Sequence, residues 1–154
     1  MGKEVRLHRG YAEDLLETLG DGSIDAVLTD PPYGVGKASW DTEGMSDTVL
    51  NHCFRACNGY CAFFSSNRLV GRLIKRIEDR GRQAWVVVWH RNNAMSHEAR
   101  FCAVWTPIVI AFKGNMPFWG QDLFACPILP RENTTHPTPK PLEVMRWLVQ
   151  RATK

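Results

Sequence analysis

Residues 24–29 (IDAVLT) make a short apolar run with the β-branched character of a buried strand. It ends on Asp30, Pro31, Pro32 and Tyr33, with Gly34 and Gly36 following at once. Two adjacent prolines each fix φ and offer no N–H, so the turn that leaves the strand is stiff and locally poor in donors. No other stretch constrains the fold as much: a strand must stop here, and a carboxylate must stand at its C-terminal mouth. In open α/β sheets that mouth is where ligands bind.

The residue types at this turn suit one kind of guest. An ionised aspartate only accepts hydrogen bonds, and the Pro31 carbonyl is a second acceptor beside it. The natural partner is a planar amino group with two hydrogens to give. Tyr33 adds an aromatic face for stacking and a phenol tip able to stay wet. Together they describe a pocket for the exocyclic amine of a heteroaromatic base. The lone pair of such an amine is delocalised into its ring. Accepting both hydrogens favours a pyramidal nitrogen and aims that lone pair at an electrophile, which is transition-state stabilisation by placed acceptors. The plain alternative is an ordinary turn after a strand.

The rest of the chain alternates. A short strand is expected at 5–8, a helix at 12–19 closed by Gly20, and a helix at 46–57 with Ser46 as N-cap. A strand at 60–64, a helix at 68–80 ended by Gly81, and strands at 84–90 and 103–112 follow, the last tolerating Pro107 only at an edge or bulge. No helical pattern separates these last two strands, so they are expected to pair antiparallel. An irregular stretch covers 113–135, and 139–151 is the last helix. This alternation predicts an α/β, Rossmann-like sheet with helices on both faces. The length, 154 residues, fits one domain, and there is no internal repeat or linker. A net charge of +3 permits a polyanionic partner without demanding one. No signal-peptide pattern opens the sequence and no apolar run approaches a membrane span, so the expectation is a soluble cytoplasmic protein with no membrane partner.

A second string, His136, Pro137, Thr138, Pro139, Lys140 and Pro141 (HPTPKP), opens the last helix. Thr138 as N-cap and Pro139 at the first helical position make a favourable start. Unpaired N–H groups, the helix dipole and Lys140 make an anion site there, although the same residues also read as a plain loop-to-helix cap. TDPPYG, followed more than a hundred residues later by HPTPKP, resembles motifs IV and X of the DNA amino-methyltransferases, in the order of their permuted β group. GYCAFFSSNRLVGRLIKRIEDRG and AWVVVWHRNN between them are similar to that family in character and order, so the resemblance covers nearly the whole chain.

The resemblance implies a Rossmann-like methyltransferase sheet and an enzyme that uses S-adenosyl-L-methionine to methylate N6 of an adenine flipped out of double-stranded DNA, as in restriction–modification. It implies catalytic roles for Asp30, Pro31, Pro32 and Tyr33 and cofactor contacts from Asp30, Pro31, His136, Thr138 and Lys140. An Asp at the head of the tetrapeptide goes with adenine more often than with cytosine N4, the runner-up target. The family places target recognition between motifs VIII and X, here within the short stretch 113–135. It also follows motif X directly with a glycine-rich cofactor motif, DPFxGSGT-like, and the sequence stops at Lys154 where that motif would begin. Residues 1–154 are therefore expected to be the N-terminal portion of a single catalytic domain, incomplete at its C-terminus. Such a portion would bind cofactor weakly alone and would partner itself or a C-terminal segment supplied in trans. A second reading is a non-catalytic DNA-binding or regulatory remnant of such an enzyme. A third, action on RNA or a protein amide, is disfavoured by HPTPKP. Tyr11 stands where relatives tend to carry an acid and is not taken as a site.

Other clusters carry weaker messages. Arg91, Asn92, Asn93, His97 and Arg100 fall in one loop that could contact DNA phosphates or base edges, or simply be solvated. Phe118 and Trp119 could wedge into DNA or pin their loop. Cys53, Cys57 and Cys61 beside His52 lack metal-site spacing and are expected as buried thiols, with no metal. Trp85, Trp89 and Trp105 are expected mostly in the core.

Overall fold

The computed structural model describes residues 5–34, 44–93, 97–98, 101–115, 120–128 and 139–152. Among these residues four helices and seven strands follow the order α1 (Ala12–Thr18), β1 (Ile24–Thr29), α2 (Asp47–Ala56), β2 (Cys57–Phe64), α3 (Val70–Glu78), β3 (Gln83–His90), β4 (His97–Glu98), β5 (Phe101–Cys102), β6 (Trp105–Phe112), β7 (Leu123–Ala125) and α4 (Leu142–Ala152). The main sheet runs β1-β2-β6-β3-β7, and β4 and β5 form a separate two-stranded ribbon. β1 and β2 are parallel, β6 is antiparallel to both β2 and β3, and β7 is parallel to β3. β1, β2 and β3 therefore all end at one rim of the sheet, where Asp30 stands.

The two faces of the sheet separate by the period of two expected of strands. Tyr60, Ala62, Phe64, Val87, Trp89, Ile108 and Ile110 pack with Val144, Trp147 and Leu148 of α4. Cys61, Phe63, Val109 and Ala111 pack with Leu50, Cys53 and Phe54 of α2 and Leu73 and Ile77 of α3, and Leu16 of α1 joins them. The fold is thus a mixed α/β, Rossmann-like sheet with helices on both faces. Ser46 caps α2 as its position suggests, its Oγ accepting from the Val49 N–H at 3.1 Å.

Several expectations need correction. Residues 5–8 form no strand. Val5 and Leu7 are 81% and 93% exposed, because no described strand lies beside them to pair with. β6 lies at the centre of the sheet, not at an edge. Pro107 fits because its carbonyl accepts from the Ser65 N–H at 3.0 Å, so the side lacking a donor faces β2 just past its last residue. The stretch 113–135 is not wholly irregular, since β7 closes the sheet on β3 there. Of the three tryptophans only Trp89 is core; Trp85 is 52% exposed, and Trp105, first residue of its strand, is also exposed. Trp85 shares the face of Val87 and Trp89 but lies at the start of β3, away from their contacts with α4.

The β1–β2 pair carries one irregularity that fixes its register. Ile24 pairs with Cys57 and Ala26 with Tyr60, so β2 holds one extra residue. Gly59 lies in this bulge, and a Cβ built on it would collide with the Asp25 carbonyl.

Candidate active site

The site is assembled from the two ends of the chain. β1 delivers Asp30 at the rim, and the prolines that follow turn the backbone so that Tyr33 folds back on it. The Tyr33 hydroxyl donates to Asp30 Oδ1 at 2.7 Å. Tyr33 also bridges to Gly44 as an isolated β-pair. From the other end of the chain, Lys140 reaches Asp30, and its Nζ donates to Oδ2 in an ion pair. The two side chains are 17% and 30% exposed, sheltered from bulk water without being sealed from it.

Lys140 arrives there because α4 is fastened to the sheet. The Tyr60 hydroxyl donates to the Leu148 carbonyl at 3.0 Å inside the core. Burial beside the Cys57 and Cys61 thiols pushes the Tyr60 phenol well above its ordinary range, so it remains a donor. Trp147 stacks on Phe124 of β7 at 5.2 Å, and the Trp89 indole donates to the Cys126 carbonyl at 3.0 Å. Just before α4, the Lys140 ammonium lies 5.3 Å from the centre of the Phe64 ring. Phe64, fully buried at the end of β2, is a site residue that the motif reading did not single out. Its signal was present only as an aromatic at the C-terminal end of a strand beside β1.

The expected site residues divide accordingly. Asp30, Tyr33 and Lys140 meet, with Pro31 and Pro32 half-buried between them. His136 and Thr138 lie outside the described residues, as do Arg100, Phe118 and Trp119. Arg91 donates to the Ala103 and Trp105 carbonyls and so braces its own loop. The Asn93 amide exchanges two hydrogen bonds with the backbone of Ile128, at 3.1 and 2.7 Å, extending the β3–β7 seam by one rung. Asn92 is exposed, and only the backbone of His97 is described, in β4. Two of the side chains considered for contacting DNA, Arg91 and Asn93, are thus engaged by backbone groups of their own chain.

Among the described residues no group of three His, Cys, Asp or Glu side chains could hold a metal ion. Cys53, Cys57 and Cys61 are free, buried thiols. The Cys61 thiol donates to the Cys53 carbonyl at 3.7 Å and the Cys57 thiol to the Tyr60 carbonyl at 3.2 Å. The neighbouring Cys61 thiol pulls Cys57 below its ordinary value, while burial pushes Cys53 up to about 11. No described helix is long and apolar enough to cross a membrane.

No protein-family model and no curated protein matches the chain. Solved structures do resemble it. M1.HpyAVI in complex with SAM superposes with a TM-score of 0.70 at 20% identity, covering 96% of this chain and 76% of that one. M1.HpyAVI in a second structure gives 0.64 at 17% identity, over 96% and 75%. TTHA0409 from Thermus thermophilus, described as a candidate DNA modification methylase, gives 0.55 at 22% identity, over 71% of this chain and 54% of that one. At such identities the likeness is one of fold.

Proposed function

We propose that this chain is the catalytic portion of an S-adenosyl-L-methionine-dependent DNA methyltransferase acting on the exocyclic N6 of an adenine flipped out of double-stranded DNA. The observation that carries the reading is the convergence of Asp30, Tyr33 and Lys140 at the C-terminal rim of β1, built from two motifs at opposite ends of the chain. The likeness in fold to a solved SAM complex and to a candidate DNA modification methylase supports it.

In this reading Asp30 and the Pro31 carbonyl accept the two amine hydrogens of the flipped base, leaving the nitrogen lone pair directed away from them. Tyr33 presents its ring to the base and its hydroxyl to Asp30, so one side chain both stacks and holds the acceptor. The cofactor supplies an electrophilic methyl group. The donor set fits it: Lys140 is a cation suited to its carboxylate. As the methyl–nitrogen bond formed, the methyl–sulfur bond of the cofactor would break to leave a neutral thioether, and one amine proton would pass to solvent past Asp30. Among the described residues β1 pairs only with β2, and most of β1 stays only half-buried. That edge suits a strand-forming segment supplied in cis, by a second copy, or in trans.

The test is incorporation of labelled methyl groups into duplex DNA, followed by digestion to nucleosides. The expected outcome is N6-methyladenine, with residues 1–154 assayed both alone and with an added polypeptide carrying a DPFxGSG-like motif. N4-methylcytosine would move the target to the other base, and no product from the complemented protein would overturn the reading.

A further inference from the structure

We infer that Lys140 is a latch on Asp30, holding the carboxylate closed to an incoming amine until the carboxylate of a bound cofactor draws the lysine away. This rests on the methyltransferase reading above. Both Asp30 oxygens are engaged in the structure, Oδ1 by the Tyr33 hydroxyl at 2.7 Å and Oδ2 by Lys140 Nζ. An exocyclic amine brings only donors, and the ammonium facing Oδ2 is itself donor-only, so the two compete for the same oxygen. The ion pair also neutralises the charge that makes Asp30 a strong acceptor. Tyr33 belongs to the same rigid turn as Asp30, whereas Lys140 hangs on a flexible four-carbon stem. The lysine is therefore the group that can leave.

Among the described residues the only ion-pair partner of Lys140 is Asp30, and its ammonium otherwise rests against the Phe64 ring. One cation thus serves two possible carboxylates. Exchanging Asp30 for a ligand carboxylate replaces one ion pair by another and leaves no lysine charge stranded on an apolar ring. The consequence is order: the anionic end of the cofactor engages Lys140, and only then does Asp30 accept the amine at full strength. Lys140 is in this sense a positioning residue for Asp30.

The test needs no turnover. Two single-stranded oligonucleotides are compared for binding, one with a single adenine in a thymine tract and its twin with purine, which lacks the exocyclic amine. Without cofactor, wild-type protein is expected to bind the two almost equally. Lys140→Gln is expected to prefer adenine by roughly tenfold, the worth of a hydrogen bond to a freed charge. Lys140→Arg keeps a cation on Asp30 and is expected to bind the two oligonucleotides almost equally without cofactor, and adding Asp30→Asn to Lys140→Gln abolishes the gain. Adding S-adenosylhomocysteine, with the polypeptide carrying a DPFxGSG-like motif present, raises the adenine preference of wild type but not of Lys140→Gln. Thermal melts of each variant separate folding from binding. If folded Lys140→Gln prefers adenine no more than wild type, the latch is overturned while the functional reading stands. If neither protein nor variant distinguishes adenine from purine even with the cofactor product bound, the functional reading falls, and the latch with it.

Discussion

The two ends of the sheet use charge differently. At the rim where β1 and β2 end, one carboxylate, one phenol and one ammonium converge on a stiff turn, and their hydrogen bonds join side chain to side chain. At the opposite end, arginines meet helix C-termini. Arg55 donates to the Leu19 and Leu16 carbonyls of α1 at 2.7 and 2.8 Å, Arg82 to the Phe54 carbonyl of α2 at 2.5 Å, and Arg80 to the Arg76 carbonyl of α3 at 2.8 Å. A cleft of about 410 Å³ lined by Arg55, Arg80, Arg82 and Lys113 has the look of an anion site. Three of those cations are already answering orphan carbonyls and the negative ends of helix dipoles. The lesson is that a cluster of cations marks a binding site only after the backbone has taken its share.

If this division is right, substitutions at the rim should change chemistry with little effect on stability, and substitutions at the other end the reverse. The largest effect is expected at Asp30. Asp30→Asn keeps the shape but turns a donor toward an amine that has only donors to give, so methyl transfer by the complemented protein should fall by roughly 10²–10³. Its melting temperature should stay close to wild type. Methyl incorporation at near-normal rate would break the assignment, and a large loss of stability would blur the two ends into one.

Tyr33 comes next and has become a sharper probe than its sequence suggested. Read as a stacking platform alone, Tyr33→Phe should be mild and Tyr33→Ala should weaken base capture by about 1–3 kcal/mol. The bond to Asp30 Oδ1 adds a second role, so Tyr33→Phe should itself lose about 0.5–1.5 kcal/mol of transition-state stabilisation, seen in kcat/KM. Phe equal to wild type would confine the hydroxyl bond to the free protein. Phe as damaging as Ala would make the hydroxyl, not the ring, the working group.

Arg55→Ala tests the other end. It removes partly buried donors from the last carbonyls of α1 and the contact to Asp21 at 2.7 Å. A loss of about 1–2 kcal/mol is expected, or about 2–4 °C in Tm for each kcal/mol in a chain of this size. Methyl transfer by the protein that remains folded should be unchanged. A variant that melts normally but loses activity would place the arginine in the site.

Most of the architecture was legible because it depends on local pattern. The apolar runs of β2 and β6, the Ser46 cap and the glycine after α3 each declare their own element. Failures came where the answer lay elsewhere in the chain. Residues 5–8 carry a strand's pattern but find no described neighbour, and a strand exists only by pairing. β7 is three residues long, too short for a pattern, and is held by β3 and by its stacking on Trp147. In the site, DPPY and HPTPKP could be paired by resemblance. That Lys140 occupies Asp30, that Phe64 lies under it, and that Asn93 braces a backbone are facts of three-dimensional distance that no spacing encodes.

The smallest expected effect concerns Asp47, the first residue of α2, an exposed carboxylate that accepts from Arg76 Nε and Nη2 at 3.0 and 2.8 Å and from Arg80 Nη2 at 2.7 Å. Hydrogen bonding to Arg76, with the charges of Arg76 and Arg80 behind it, holds its carboxyl below the ordinary 3.8. A carboxylate whose folded value is depressed contributes stability that is fully present above its unfolded value and fades as pH falls through the folded one. Wild type should therefore out-melt Asp47→Asn by a constant margin from about pH 5 to 7, and the margin should shrink below about pH 4. Because the group is exposed, salt should shrink it too. A margin that survived both acid and salt would mean that Asp47 does not stabilise the fold through its charge. Either way methyl transfer at neutral pH should not change, since this carboxylate ties α2 to α3 whereas the one at the rim awaits a substrate.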